Sequence, residues 1–474
     1  MPSPRLRVPE EPRALSAGLR RLRDTLGVRV DFPAEVLAEA EAAALRPRLP
    51  ARDCTDVEFV TLDPAGSLDL DQAFHLTRTS TGYLFRYAIA DVAAFLTPGG
   101  RVDQEAHARG ETLYAPNQRI GLHPPVLSEG AASLLPGQTR PALVWELELD
   151  ASGATTGARV ERGLVRSRAK LDYVAAQADL DAGKASEQLQ LLREIGTLRR
   201  ALEAARGGVS LSVPEQEIVA SGAEWSLAYR ATLPVEDWNA QLSLATGMAA
   251  AKLMLDAGVG VLRTLPPAKD GAIERLRRIA KALRLDWPRS QGYPDFVRGL
   301  DPSVPAQAAM LNSCTTLFRG AAYAAFAGAV PEQPLHAAIA APYAHVTAPL
   351  RRLVDRYAGE VCVAISAGVP VPEWASTGLP QIPDLMADSS RRANKFERGT
   401  VNLVEALVLS PHLGKDYSGT LIEVEPDDDS GTLQLTAPAV EARVKGSGLV
   451  LGSEVTATLV AADLLDGDVE FRVL

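Results

Sequence analysis

The pattern of apolar residues changes twice along this chain of 474 residues, and these changes constrain its fold more than any other feature. Between residues 57 and 149, short runs rich in β-branched and aromatic side chains predict strands. Helical periodicity then predicts helices over residues 186–205, 235–255, 273–283, 305–327 and 388–408. Mixed strands followed by a run of helices favour one large α+β domain, which we place at residues 51–410.

The last 60 or so residues, 411–474, have a different pattern, in which short alternating runs are separated by Asp and Gly turns. Five short strands within that length favour a small barrel such as an OB fold. A stretch rich in proline and glycine, residues 368–383, is interpreted as a connector ahead of the last long helix. The five predicted strands cover residues 417–424, 433–435, 440–444, 455–460 and 469–474.

Residues 1–50 form a third region, with helices predicted over 15–26 and 33–45 and Gly27 between them. Arg20, Arg21 and Arg23 lie on the polar side of the first helix. This pattern is compatible with a small helix-turn-helix-like cap that touches nucleic acid. It is equally compatible with two amphipathic helices that pack on the main body, and the sequence leaves both interpretations open.

The net charge of −10 argues against a protein that coats nucleic acid, because such proteins carry a basic surface. An enzyme that takes in one strand needs positive charge only along its channel, so it is not excluded.

The three cysteines form no CxxC pair, which favours a reducing cytosol. With no signal-peptide pattern and no clean apolar span of about 20 residues, we expect a cytoplasmic, monomeric protein without a membrane partner.

The most informative segment for chemistry carries three carboxylates at residues 63, 69 and 71. Leucines alternate with Asp69 and Asp71, so an extended chain would direct both carboxylates to one face. Pro64 and Gly66 predict a turn that could bring Asp63 beside them. Converging carboxylates require a cation, and hard oxygen ligands favour Mg²⁺ or Mn²⁺. The alternative is a half-exposed strand with acids on its wet side.

A second segment, residues 342–355, places two adjacent arginines beside a predicted helix start. Thr347 is the expected N-cap and Pro349 is expected in the first turn. Arg351 and Arg352 would then lie at a helix N-terminus, where guanidinium groups can hold a phosphate. The alternative is an ion pair between Arg351 and Asp355 on an exposed helix face.

Together these segments resemble the RNB catalytic domain of the ribonuclease II and ribonuclease R family. Asp63, Asp69 and Asp71 match its aspartate, five-residue gap and D-x-D pattern, and residues 88–92 match its A-I-A-D-V stretch. Tyr114 and Pro116 match a Y-x-P pattern, residues 127–134 an L-S…S-L pattern, residues 345–355 an H-x-T-S-P-I-R-R-Y-x-D motif, and Glu397-Arg398 the end of an A-x-x-x-E-R helix. The matches run in the family's order from about residue 57 to residue 398.

The resemblance implies an α+β RNB-type catalytic domain with a C-terminal OB-fold barrel and a short helical N-terminal segment. It implies a processive 3′-to-5′ exoribonuclease that hydrolyses single-stranded RNA to nucleoside 5′-monophosphates with a Mg²⁺-activated water. Asp63, Asp69, Asp71 and Gln72 would hold the metal, and Arg351 would neutralise charge on the phosphate. Tyr114 would stack on a base, and Arg351, Arg352, Glu397 and Glu236 would contact the RNA, the two glutamates through ribose hydroxyls.

Three departures from the family pattern bear on this expectation. Gln72 stands where the family has a fourth acid, which removes one negative charge from the metal site. Leu353 replaces the usual tyrosine after the arginine pair. The predicted barrel has only Tyr417 and Phe471 as aromatic residues, so its platform for stacking bases is thin. Because Gln72 removes a charge from the metal site, it favours a second candidate function, an RNB-fold RNA-binding protein with weakened or lost catalysis. A third candidate is a metal-dependent phosphohydrolase that acts on small nucleotides.

Overall fold

The computed structural model describes residues 13–115, 119–211, 215–221, 224–230, 232–302, 304–425, 429–435 and 437–473. Pro116 of the Y-x-P pattern and the last residue of the predicted final strand lie outside these ranges.

The strands are β1 (Val60–Asp63), β2 (Gln72–Arg78), β3 (Gly82–Ala90), β4 (Leu113–Tyr114), β5 (Arg119–Ile120), β6 (Thr139–Asp150), β7 (Thr155–Arg166), β8 (Ala169–Asp172), β9 (Glu215–Ser221), β10 (Glu224–Arg230), β11 (Val259–Thr264), β12 (Ala322–Ala327), β13 (Leu335–His336), β14 (Ala341–Pro342), β15 (Asp416–Glu425), β16 (Ser430–Leu435), β17 (Val440–Lys445), β18 (Glu454–Ala462) and β19 (Val469–Val473).

The helices alternate with these strands and concentrate in the middle of the chain. They are α1 (Arg13–Leu26), α2 (Ala34–Leu45), α3 (Arg101–Arg109), α4 (Tyr173–Asp181), α5 (Glu187–Ala205), α6 (Pro234–Ala257), α7 (Asp270–Ala282), α8 (Tyr293–Arg298), α9 (Pro305–Cys314), α10 (Leu353–Ala367), α11 (Glu373–Gly378) and α12 (Ile382–Leu409). In the described part of the chain, none of these helices is both long enough and apolar enough to span a bilayer.

A six-stranded sheet with the order β7-β6-β3-β2-β1-β8 forms the centre of the large α+β region. Its neighbours are antiparallel except for β1 and β8, which are parallel. Side chains alternate between the two faces, so each face has its own core. Phe74 and Trp145 lie in the core that includes α5, α6 and α10, whereas Ala73 and Val144 lie in the core that includes α2 and α3.

The C-terminal strands close a five-stranded barrel in the order β15-β16-β17-β19-β18, which confirms the predicted OB-like fold. Phe471 is fully buried inside the barrel, and Tyr417 packs against it edge to face at 5.8 Å between ring centroids. Because these two rings stabilise the barrel core, neither forms a broad exposed platform for bases.

The two N-terminal helices pack on different parts of the molecule. In α1, Leu15 and Leu19 are buried in the core that α12 shares with the barrel. At Gly18 an added Cβ would lie 2.5 Å from Leu403 Cδ2, so α1 and α12 are in close contact. In α2, Val36 and Ala40 pack instead into the core beneath the central sheet. This arrangement matches the interpretation of two helices packed on the main body.

Two predicted helices have different boundaries. The stretch 305–327 forms a helix only over Pro305–Cys314; after Gly320, which has a φ of +94°, the chain turns into β12 and pairs with β11. The helix expectation failed there because pairing with a distant strand outweighs the helix propensity of an alanine-rich run. The expected connector 368–383 already contains α11 and the start of α12.

Candidate active site

The acidic segment is held in an extended form by a loop from elsewhere in the chain. The backbone N–H of Leu70 donates to Ser133 Oγ at 2.9 Å, and Ser133 Oγ donates to the carbonyl of Leu68 at 2.6 Å. The N–H of Leu134 donates to the Leu70 carbonyl at 3.0 Å. Leu70 is therefore buried in the core, while Asp69 and Asp71 on either side of it keep their carboxylates near each other in the site.

Asp71 is the most strongly perturbed acid in the site. It is 5% exposed, its Oδ1 accepts from the N–H of Leu350 at 2.8 Å, and its Oδ2 lies 3.4 Å from Arg351 Nε. Burial raises the pKa of Asp71 to about 8; Arg351 opposes this shift and the charge of Asp69 adds to it. A carboxylate in this environment is stabilised by any further positive charge that approaches it.

Asp69 faces a guanidinium group that the sequence analysis did not identify. Arg119 forms ion pairs with both Asp69 and Glu129. It lies on β5 directly opposite Tyr114 of β4. Because β4 and β5 have two residues each, the sequence shows almost no alternation of polar and apolar residues there. The ion pair with Asp69 in the structure is therefore what identifies Arg119 as a site residue.

Asp63 ends β1 and lies near polar side chains from β3, α4 and α6. Burial raises the pKa of Tyr173, and the negative charge of Asp63 adds to this shift. The Tyr173 hydroxyl accepts a hydrogen bond from Asn239 Nδ2 at 3.1 Å. Burial also raises the pKa of Tyr87 on β3, and the negative charge of Asp63 adds to this shift.

Gln72, the residue in place of the fourth acid, contacts the same region. Its Oε1 accepts hydrogen bonds from the Tyr87 hydroxyl and, at 3.2 Å, from Ser243 Oγ of α6. The amide oxygen predicted to ligate metal therefore has two protein donors. Its role as a ligand stays a prediction.

The acids provide the oxygen donors that a hard divalent cation prefers. Within the described residues, no group of three or more His, Cys, Asp or Glu side chains meets the spacing of a metal centre. Asp69 and Asp71 are nevertheless buried carboxylates two residues apart, and burial together with the charge of Asp69 raises the pKa of Asp71. In donor type and charge the three aspartates thus fit Mg²⁺ or Mn²⁺.

The arginine pair lies before a helix, not inside it. Helix α10 begins at Leu353, and Arg352 has the extended angles φ −136° and ψ 128°. The N–H of Thr112 donates to the Arg351 carbonyl at 2.9 Å, and Glu111 and Arg352 form a β-bridge. The expected N-cap at Thr347 and the expected place of Pro349 in the first helical turn are therefore wrong. The chain first makes a turn, in which the N–H of Arg351 donates to the Ala348 carbonyl at 3.1 Å, and Arg352 then pairs with Glu111 before the helix begins.

Asp355 fixes the loop that carries the arginines. Its Oδ1 accepts from the N–H of Ala348 at 2.7 Å, and Arg352 donates to both of its oxygens at 2.8 Å. The ion pair is thus between Arg352 and Asp355, whereas Arg351 lies beside Asp71. The alternative of an exposed Arg351–Asp355 pair is therefore wrong. Arg351 is left half-buried, with 31% of its side chain exposed at the site.

Replacing Asp355 by Ala should destabilise the protein strongly. Asp355 is 1% exposed, so its loss leaves the Arg352 charge and the Ala348 N–H without their acceptor. Breaking such a buried pair costs about 3–5 kcal/mol in the free energy of unfolding, which a lower urea midpoint would report. Asp388→Ala is the matched control, since it removes the exposed i,i+3 partner of Arg391 and should change stability by less than about 0.5 kcal/mol. Equal shifts for both variants would refute the role given to Asp355.

The remaining predicted RNA contacts lie around this centre. Tyr114 is half-buried and near enough to Arg351 and Arg119 to interact with both charges. Glu236 is 8% exposed and forms a two-point ion pair with Arg230, at 2.6 and 3.2 Å. Glu397 is exposed on α12, beside Phe396, which packs under the hairpin of β4 and β5.

Buried His123 makes the fold around the site sensitive to acid. Burial, with a further contribution from Arg356, lowers the pKa of His123 to about 3. The unfolded chain binds this proton near pH 6.5, so stability present above that pH is lost as the pH falls toward 3. Between pH 7 and 5 we expect His123 to cost about 2 kcal/mol in the free energy of unfolding. Urea titrations at both pH values should show a smaller loss for His123→Asn than for the parent or for His412→Asn; equal losses would contradict this.

Comparison with known proteins agrees with this architecture. The RNB domain model matches residues 51–363, and the model of the RNase II-type exonuclease C-terminal S1 domain matches residues 417–474. The fold and site thus define an RNB-domain protein with an S1-type barrel, and the chain belongs to the RNB family. Ribonuclease R 1 from Lactococcus lactis subsp. lactis is 24% identical over 504 aligned positions, covering 94% of this chain and 59% of that protein. The chain spans between about a third and three fifths of the length of the curated relatives it matches.

Solved structures show the same fold at low sequence identity. Mycoplasma genitalium RNase R in complex with ribose methylated single-stranded RNA has a TM-score of 0.86 at 18% identity, covering 98% of this chain and 78% of that one. Yeast Ssd1, described as a pseudonuclease, has a TM-score of 0.70 at 17% identity, covering 87% of this chain and 53% of that one. The fold is therefore shared with RNase R and with a protein described as a pseudonuclease.

Proposed function

We propose that this chain is a metal-dependent 3′-to-5′ exoribonuclease that processively degrades single-stranded RNA to nucleoside 5′-monophosphates in the cytoplasm, as a monomer. The observation that carries the proposal is the pair formed by Asp71 and Arg351. A buried carboxylate with a raised pKa and a half-exposed guanidinium meet 3.4 Å apart in an RNB-family fold. A phosphate flanked by a cation on the acid side and by Arg351 on the other would be neutralised from both sides.

Asp63, Asp69 and Asp71 would hold Mg²⁺, or Mn²⁺ in its place. When bound, the ion supplies positive charge at the scissile phosphate and lowers the pKa of water there. The chain's own residues would orient the RNA so that a water molecule attacks the last phosphodiester in line, forming a new bond between the water oxygen and phosphorus and giving up a proton. The bond between phosphorus and the 3′ oxygen of the preceding nucleotide breaks, and that oxygen receives a proton and becomes the new 3′ end.

Arg351 is the residue best placed to stabilise charge that develops on the phosphate. Its guanidinium can donate two parallel hydrogen bonds, and its backbone is fixed by Thr112. Arg352 would act on the RNA mainly through the loop geometry that its pairing with Asp355 maintains.

Recognition of RNA would involve Tyr114 and two glutamates. Tyr114 would stack on a base near the 3′ end, next to Arg351. Glu236 and Glu397 would accept hydrogen bonds from ribose 2′-hydroxyls, which is a direct way to prefer RNA over DNA. Glu236 can do so while paired with Arg230, because a carboxylate has about four acceptor positions.

The decisive experiment follows a single-stranded RNA labelled at its 5′ end, with Mg²⁺ and with EDTA. We expect a descending ladder that ends in a short product, no cleavage in EDTA, and no cleavage of a DNA of the same sequence. A 3′-tailed duplex in the same assay shows whether paired RNA is also degraded. Binding without any shortened product would overturn the proposal.

That last result would support the second candidate, an RNA-binding protein that has lost catalysis. Two observations favour it: Gln72 replaces an acid of the family pattern, and a pseudonuclease shares the fold. Changing Gln72→Asp in the same assay tests whether this one position limits turnover. Cleavage that appears only in this variant would assign the lost activity to Gln72.

A further inference from the structure

A cavity of about 450 Å³ lies away from the carboxylate site, between α10, α11 and the segment that follows α2. Its size falls in the range typical of small-molecule sites. None of Asp63, Asp69, Asp71, Tyr114 and Arg351 is among its walls. The lining residues are Arg48, Leu49, Pro50, Ala93, Ala94, Leu96, Pro98, Arg162, Arg356, Glu360 and Trp374.

Three arginines line one side of the cavity, and carboxylates pair with two of them, Arg162 and Arg356. Arg162 donates to Asp91 Oδ2 at 2.8 Å and pairs with Glu360, and 32% of its side chain remains exposed. Arg48 Nη2 donates to the backbone carbonyls of Ala93 and, at 2.8 Å, of Leu96. Among the described residues no carboxylate lies within ion-pair distance of Arg48, so its positive charge is not balanced by an acid and its other nitrogens can donate to an anion.

The third arginine joins the charged side to an aromatic wall. Arg356 is 4% exposed and donates to Asp103 Oδ1 at 2.5 Å. Its guanidinium carbon lies 5.1 Å from the ring centroid of Trp374 and 5.3 Å from that of Tyr357. These contacts hold Trp374 in place as a partly exposed aromatic surface.

Apolar side chains complete the wall around Trp374. Leu49 is 62% exposed and offers an apolar surface at the rim of the cavity. Pro98 and Leu96 lie on the same lining. The cavity therefore combines a planar apolar surface with guanidinium groups, the two features that a nucleotide requires.

We propose that this cavity binds a nucleoside 5′-monophosphate, with its base on Trp374 and Leu49 and its phosphate on Arg48 and Arg162. The choice of ligand rests on the proposed function, because that reaction releases this class of compound. Arginine suits the phosphate because its planar fork donates two hydrogen bonds at once. An aromatic face accepts any of the bases, so the site would not depend on base identity.

The proposal is tested by calorimetric titration of the full chain with AMP, adenosine and inorganic phosphate. We expect one AMP site outside the active site, which therefore persists in Arg351→Ala. Arg48→Ala should weaken AMP binding at least about tenfold, as expected for loss of a charge-assisted contact. Trp374→Leu should weaken AMP binding and leave phosphate binding unchanged.

Arg46→Ala is the matched control, since Arg46 is an exposed arginine two residues away that does not line the cavity. Its AMP affinity should stay within about twofold of the parent. AMP binding that Arg351→Ala abolishes, or that Arg48→Ala leaves unchanged, would overturn the proposal. Equal affinities for phosphate and AMP would overturn the nucleotide assignment.

The RNA assay separates the two proposals. Cleavage of RNA without an Arg48-dependent AMP site would refute the cavity assignment alone. An Arg48-dependent AMP site in a protein that does not cleave RNA would refute the nuclease proposal and leave the nucleotide site standing.

Discussion

Asp71→Asn is expected to abolish RNA cleavage while RNA binding is preserved or becomes tighter. The asparagine side chain has the same shape, so its oxygen can still accept from the Leu350 N–H. It loses the negative charge that would hold a divalent cation, an interaction worth several kcal/mol to the transition state. The initial rate of 5′-labelled RNA degradation should fall at least about a thousandfold. Binding should not weaken, because a charge that repels phosphate is removed.

The control for this variant is Asp256→Asn, which removes an exposed carboxylate paired with Lys252. It should cleave at the parent rate. An Asp71→Asn protein that cleaves as fast as the parent would remove Asp71 from the catalytic machinery. A large loss of RNA affinity would show that this carboxylate acts in binding and not in turnover.

Arg351→Ala is expected to lower kcat about 10²–10³-fold with a smaller change in KM. Arg351 touches Asp71 and is half-exposed at the site, so it can meet the phosphate where charge develops. Arg351 would donate hydrogen bonds mainly in the transition state. Removing such a donor lowers kcat by a larger factor than it lowers the affinity for the RNA substrate in the ground state. Arg351→Lys keeps the charge but not the planar fork, and should recover only part of the rate.

Single-turnover degradation of labelled RNA measures this effect without product release. Arg391→Ala is the control, because Arg391 pairs with Asp388 on an exposed face of α12. It should leave the rate constant unchanged. A rise in KM with an unchanged kcat in Arg351→Ala would mean that Arg351 only binds RNA.

The sequence predicted those parts of the site whose signal is local. Alternation of leucines with Asp69 and Asp71 predicted the extended acidic segment, and the resemblance to the RNB domain is confirmed by the family match. The C-terminal barrel was also predicted, because five alternating runs with Gly and Asp turns are a local pattern.

Features that depend on distant contacts were not predicted. Arg119 reaches Asp69 from a very short hairpin, and Ser133 holds the acidic segment through two hydrogen bonds across more than sixty residues. Pairing of Arg351 and Arg352 with residues 111 and 112 moved the start of α10 to Leu353. Each of these is a contact between segments far apart in sequence, which periodicity does not encode.

The contact at Gly18 couples the first described helix to the last domain. Because α1 fills a groove shared by α12 and the barrel, with no space for a Cβ against Leu403, the barrel is not a freely tethered module. Helix α1 and the barrel thus share one apolar core. Phe396 of the same helix α12 packs against the hairpin of β4 and β5, so α12 joins that core to the hairpin that carries Tyr114 and Arg119.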